Sequence, residues 1–81
     1  MDKKVIVYTA SWCGPCKYAK QLLNEKGIDY EEIDIEREGM SREDLYKITG
    51  GRTVPQIVIN GENIGGFTDL QKLNKMGTLK T

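Results

Sequence analysis

The sequence predicts an α/β domain: a four-stranded mixed sheet flanked by three helices, in the order βαβαββα. Three observations carry this. A β-branched run, a helix opened by a Cys-x-x-Cys segment and a strand of alternating pattern form a βαβ unit near the N-terminus. Asn60-Gly61, the best short signal for a tight two-residue hairpin, joins two further strands. Helix-start signals at Ser41 and Thr68 mark two more helices. The βαβ unit makes its strands parallel and the hairpin adds an antiparallel pair, so helices fall on both faces of the sheet.

Residues 4–8 are a β-branched run of strand length, suited to a buried strand. Residues 13–26 follow as a helix, with Cys16, Ala19, Leu22 and Leu23 on one face and Gly27 at the stop. Residues 28–35 form the next strand, where Ile33 and Ile35 alternate with Asp34 and Glu36. A second helix starts at Ser41, which has capping-box spacing to Asp44; Met40 and Leu45 fit a hydrophobic staple. Leu45 and Ile48 should face the core, and Gly50-Gly51 end the helix. Residues 56–59 and 62–65 are the hairpin strands. Thr68 is expected to cap the last helix, with Gln71 completing a capping box, Leu70, Leu73 and Met76 forming its apolar face, and Gly77 stopping it.

The chain has 81 residues, which suits one domain over residues 1–81, with a tail at 78–81 free of packing signals. Twelve Lys+Arg balance twelve Asp+Glu. That neutrality argues against a general nucleic-acid binder and an electrostatic membrane binder. The absence of His excludes Ser-His-Asp triads and His-ligated zinc. No stretch reaches the ~20 apolar residues of a membrane span. The first apolar segment is too short for a signal-peptide core, so a soluble, cytoplasmic monomer is the expectation.

The two cysteines are Cys13 and Cys16, at the junction of the first strand and first helix. There Cys13 meets the unpaired N–H groups and partial positive charge of a helix N-terminus, which stabilise a thiolate. Cys16 lies one turn further in and should be shielded. The geometry suits attack by Cys13 on a disulfide, then attack by Cys16 on Cys13 to release the product. Two plainer readings compete: buried core residues, and half of a zinc site completed by a second copy. A tetrahedral zinc site within one chain is short of ligands.

The stretch Trp12-Cys13-Gly14-Pro15-Cys16-Lys17 matches the active-site motif of thioredoxins. Val7-Tyr8-Thr9, Thr53-Val54-Pro55-Gln56, Ile64-Gly65-Gly66 and Asp69-Leu70 resemble glutaredoxins, and the resemblance covers roughly residues 4–76. The chain thus resembles a glutaredoxin with a thioredoxin-type active site. The resemblance implies a thioredoxin-like fold of glutaredoxin type and thiol–disulfide oxidoreductase activity through Cys13 and Cys16. It implies a cis Pro55 facing the sulfurs, and Val54 pairing through its backbone with the substrate. It implies glutathione as co-substrate, its γ-glutamyl end held by Thr68 and Asp69 at a helix N-terminus, with Arg52 pairing with a carboxylate. No resident metal or organic cofactor is implied.

The departures are specific. Thr9-Ala10-Ser11-Trp12 lacks the lysine that many glutaredoxins place before the first Cys, a gap that Lys17 or Lys20 could fill. Phe67 stands where a small residue is common, either narrowing the groove or packing beside the helix. Val7 occupies the position of the buried acid of thioredoxins. Gly14-Pro15 replaces Pro-Tyr, and proline has no N–H to offer the Cys13 thiolate. The dithiol should therefore be a stronger reductant, nearer the thioredoxin value of about −270 mV than the glutaredoxin range of about −200 to −230 mV.

By the same resemblance, the partners are disulfide-containing proteins, ribonucleotide reductase among them. The electron donor is glutathione, thioredoxin reductase or both. The alternative is a glutaredoxin module holding a glutathione-ligated [2Fe–2S] cluster between two subunits, which Pro15 and the bulky Trp12 disfavour.

Overall fold

A computed structural model describes residues 4–77; the tail expected at 78–81 lies outside the described residues. The order is β1 (Val5–Thr9), α1 (Gly14–Glu25), β2 (Glu31–Asp34), α2 (Arg42–Thr49), β3 (Gln56–Ile59), β4 (Glu62–Gly65) and α3 (Phe67–Lys75). This is the anticipated βαβαββα sequence.

The strands lie in the order β2-β1-β3-β4. β1 runs parallel to β2 and antiparallel to β3, and β3 and β4 form the hairpin. Asn60 (φ 53°) and Gly61 (φ 84°) both take positive φ, as a tight hairpin turn requires. Between β3 and β4 the register jumps from Ile57–Gly65 to Val58–Asn63, so Ile64 is an extra residue in β4.

β2 is shorter than residues 28–35. The Ile28 N–H is spent on the Leu23 carbonyl (2.9 Å), closing α1 over Gly27, while Ile28 itself is buried. At the other end, Ile35 N–H bonds the Thr9 carbonyl (2.9 Å) just past the ladder.

Side chains alternate across β1. Val5 and Val7 join Ala19 and Leu23 of α1, Ile57 of β3 and Leu70 of α3 in one buried cluster. Tyr8 joins Ala10, Cys13, Cys16, Ile35 and Leu45 in a second, beneath α2. Helices thus cover both faces, and the cysteines are rooted in the second cluster.

α2 carries the expected capping box. Ser41 Oγ accepts the Asp44 N–H (3.1 Å), and the Asp44 carboxylate accepts the Ser41 N–H (3.0 Å). Gly50 ends the helix in the left-handed region. The inward face differs from expectation: Leu45 and Thr49 are buried, and Ile48 is 56% exposed. Thr49, at i+4 from Leu45, turns its hydroxyl onto the Leu45 carbonyl (2.9 Å) and so satisfies itself inside.

α3 begins earlier than expected. Gly66 is its N-cap, in an extended conformation, and the Asp69 carboxylate accepts the Gly66 N–H (3.1 Å). Thr68 is therefore the second helical residue rather than the cap. Leu70 is buried and Leu73 packs on the first cluster, but Met76, the residue closing the helix, is 71% exposed.

Candidate functional site

The chain leaves β1 at Thr9 and turns so that the Cys13 N–H bonds the Ala10 carbonyl (3.1 Å). Cys13 is the N-cap of α1, extended at φ −93° and ψ 110°. Pro15 falls in the first helical turn, where a missing N–H costs no helical bond. The Cys16 N–H points back at Cys13 Sγ (3.2 Å), so the sulfur occupies the position of a capping oxygen. No acidic residue stands in that first turn to oppose the positive end of the helix. Cys13 and Cys16 are joined as a disulfide, with Cα atoms 5.3 Å apart. Cys13 keeps 9% of its surface open and Cys16 only 1%. Attack from outside therefore reaches Cys13 first.

Facing Cys13 is the loop before β3. The Val54–Pro55 peptide is cis, as the family resemblance implies. The Val54 carbonyl oxygen lies 3.4 Å from Cys13 Sγ. Pro55 is buried, and its carbonyl abuts Gly66, where a Cβ would come within 3.3 Å. The sulfur, the Val54–Pro55 wall and the start of α3 therefore adjoin in one line. Val7, fully buried in the first cluster, leaves no carboxylate at the position where thioredoxins carry one.

Exposed Trp12 separates two depressions. One, of about 190 Å3, is lined by Trp12, Ile35, Arg42, Arg52, Thr53 and Val54. The other, of about 480 Å3, runs along residues 9–14 with Lys17, Lys20, Glu32 and Asp34. Arg52 stacks its guanidinium over the Tyr46 ring (4.3 Å) and pairs with Glu43 (3.2 Å). It is thus held at the rim of the Val54 groove. Lys17 and Lys20 line the other depression, and Lys20 is committed to Glu32 (2.6 Å). The cation that shares the Val54 groove with Arg52 is Arg42, which sequence reasoning missed. Its only signal was its place directly after the Ser41 cap.

Thr68 and Asp69 are exposed in the first turn of α3, next to Gly66. Asp69 already holds the Gly66 N–H. Gly65 takes φ +107°, and a Cβ there would overlap the Asp69 carboxylate. Gly65-Gly66 is therefore the element that seats α3 against Pro55. Phe67 packs onto the first cluster, its ring 6.0 Å from that of Tyr18, rather than over the disulfide. Among the described residues, no group of three or more His, Cys, Asp or Glu side chains gathers as a metal site.

A helix-capping cysteine pair set against a cis-proline loop on this sheet defines a thiol–disulfide exchange domain. The glutaredoxin family model matches residues 5–64. The chain is 43% identical over 75 residues to a glutaredoxin of Pseudomonas aeruginosa, covering 93% of this chain and 89% of that protein. To glutaredoxin 3 of Escherichia coli it is 41% identical over 75 residues, covering 93% and 90%. It spans only about half the length of the mitochondrial glutaredoxin-2 of Pongo abelii, which it matches at 42% identity over 81 residues (96% of this chain, 50% of that protein). Among solved structures, a buckwheat glutaredoxin–glutathione complex superposes with a TM-score of 0.84 at 28% identity, covering 95% and 73%. The chain belongs to the glutaredoxin family, whose members are thiol–disulfide oxidoreductases, and it carries a cysteine pair suited to that chemistry.

Proposed function

We propose that this chain reduces protein disulfides and glutathione mixed disulfides, with glutathione as the co-substrate that restores the dithiol. The carrying observation is the position of Cys13 Sγ, capping α1 and 3.4 Å from the Val54 carbonyl. In the reduced protein the Cys13 thiolate attacks one sulfur of the substrate. A Cys13–substrate disulfide forms, and the other substrate sulfur leaves as a thiolate. Cys16, deprotonated, then attacks Cys13 Sγ, releases the second substrate thiolate and forms the Cys13–Cys16 disulfide. Two electrons have passed to the substrate. Two glutathione thiols return them and leave as oxidised glutathione.

In this reading Val54 pairs through its backbone with the glutathione cysteine. The N–H groups at the start of α3, with Thr68 and Asp69, receive the γ-glutamyl end. Arg52 and Arg42 take the glycine carboxylate, in place of the lysine absent before Cys13. The fold shared with a structure solved as a glutathione complex supports this arrangement. Protein acceptors, ribonucleotide reductase among them, reach the same sulfur past exposed Trp12.

The test is turnover of one protein disulfide by two reducing systems in parallel. One is glutathione with glutathione reductase; the other is NADPH with thioredoxin reductase. Turnover with glutathione alone supports the groove assignments. Turnover with thioredoxin reductase only would overturn them and leave the Trp12-to-Cys16 motif as the partner-selecting element.

A further inference from the structure

Gln56 opens β3 and is 6% exposed. A buried carboxamide is costly unless its donors and acceptors are met. Here they are met by two different elements. Nε2 donates to the Thr53 carbonyl (2.9 Å), in the loop directly before Val54. Oε1 accepts from Asn63 Nδ2 (3.1 Å), on β4. The space is reserved at Gly51, where a Cβ would overlap the Gln56 carboxamide. The loop that presents Val54 to Cys13 is thus braced from inside by one side chain, anchored on the neighbouring strand.

We infer that Gln56 is a positioning residue: its carboxamide, bridging Thr53 and Asn63, holds the Val54 wall at the height over Cys13 that a bound substrate needs. The carboxamide bonds Thr53 and Asn63, not the sulfurs. This role rests on the proposed pairing of Val54 with substrate. Removing the brace should weaken substrate capture and leave the nucleophile as it is.

The experiment uses the full chain and a glutathionylated cysteine peptide as probe. Gln56→Glu keeps the shape but turns the Thr53-facing donor into an oxygen, setting two acceptors against each other. Asn63→Ala removes the outer anchor at an exposed position of β4, so the fold is preserved even if the buried substitution unfolds the chain. Each variant should raise KM by about 3- to 10-fold, the worth of one hydrogen bond, with kcat within about 2-fold. The rate of Cys13 alkylation by iodoacetamide in the reduced protein should stay unchanged. The double variant should do no more than the worse single one, because both act through one bridge. Unchanged KM in a folded variant, with the unsubstituted protein saturating normally, would overturn the role of Gln56 alone. A fall in kcat and alkylation rate together would also overturn it, because the side chain would then act on the nucleophile. Failure of the unsubstituted protein to saturate would overturn the Val54 pairing and this role with it.

Discussion

The backbone N–H of Cys16 points at Cys13 Sγ from 3.2 Å, and Pro15, the residue directly before Cys16, has no N–H to add. The helix therefore meets its capping sulfur with fewer donors than its geometry would allow. Stabilisation of the Cys13 thiolate also stabilises the reduced protein, so donor number bears directly on reducing power.

Restoring the missing donor should make the protein more oxidising. Pro15→Tyr is expected to raise the reduction potential by about 40–70 mV, from near −270 mV toward the −200 to −230 mV glutaredoxin range. Equilibration in glutathione redox buffers, read by mass spectrometry, checks this. A potential above about −220 mV in the unsubstituted protein, or no shift in the variant, would refute the donor argument.

Leu45 and Ile48 of α2 should differ sharply in worth. Leu45 is fully buried in the cysteine-bearing cluster and Ile48 lies 56% in solvent. Leu45→Ala should cost about 2–5 kcal/mol by leaving a cavity. Ile48→Ala should stay within about 0.5 kcal/mol, as surface changes do. Urea unfolding of the two variants decides it, and equal losses would contradict the placement of this helix.

Gly65→Ala should loosen the start of α3. The residue sits at φ +107°, and the new Cβ would meet the Asp69 carboxylate that receives the Gly66 N–H. A penalty of about 1–3 kcal/mol is expected for the backbone conformation. That corresponds to roughly 4–8 °C in melting temperature per kcal/mol for a domain of this size. An unchanged melting temperature would show that the Gly65-Gly66 element does not constrain the helix.

The α2 capping box sets an acid limit. Asp44 has its pKa lowered, first by the Ser41 backbone N–H and then by the Ser41 side chain. A carboxyl whose folded pKa lies below its unfolded value of about 4 adds stability above that pH, and the contribution is lost as pH falls through the folded pKa. Asp44→Asn should therefore melt lower than the unsubstituted chain at neutral pH, and the gap should close at acid pH. A gap independent of pH would show that charge plays no part in this cap.

Much of this was legible in the sequence because local chemistry decided it. The Ser41/Asp44 cap, the Asn60-Gly61 turn and the placement of Cys13 at a helix start each depend on a few adjacent residues. What was not legible depended on partners far along the chain. Nothing local sets β1 between β2 and β3. Thr68 looked like a cap because Gly66 has no side chain to announce itself, and the cap is instead completed by Asp69 from inside the helix. Ile48 reads as core by its apolarity alone, whereas Thr49, at i+4 from Leu45, takes the inward position by satisfying its hydroxyl on the helix backbone. Arg42 reaches the Val54 groove, and Gln56 meets Thr53 and Asn63, only when α2, β3, β4 and the loop before β3 fold together.

The proposed cycle requires Cys13 as the attacking sulfur and Cys16 as the resolving one. The most direct measurement is trapping by oxidised glutathione in two single-cysteine variants, with the modified residue located by mass spectrometry. Cys16→Ser should accumulate one glutathione per chain, on Cys13, because no second thiol is present to release it. Cys13→Ser should leave Cys16 unmodified over the same time, since that sulfur is 1% exposed. Glutathione on Cys16 at a comparable rate, or no adduct on Cys13, would contradict the assignment.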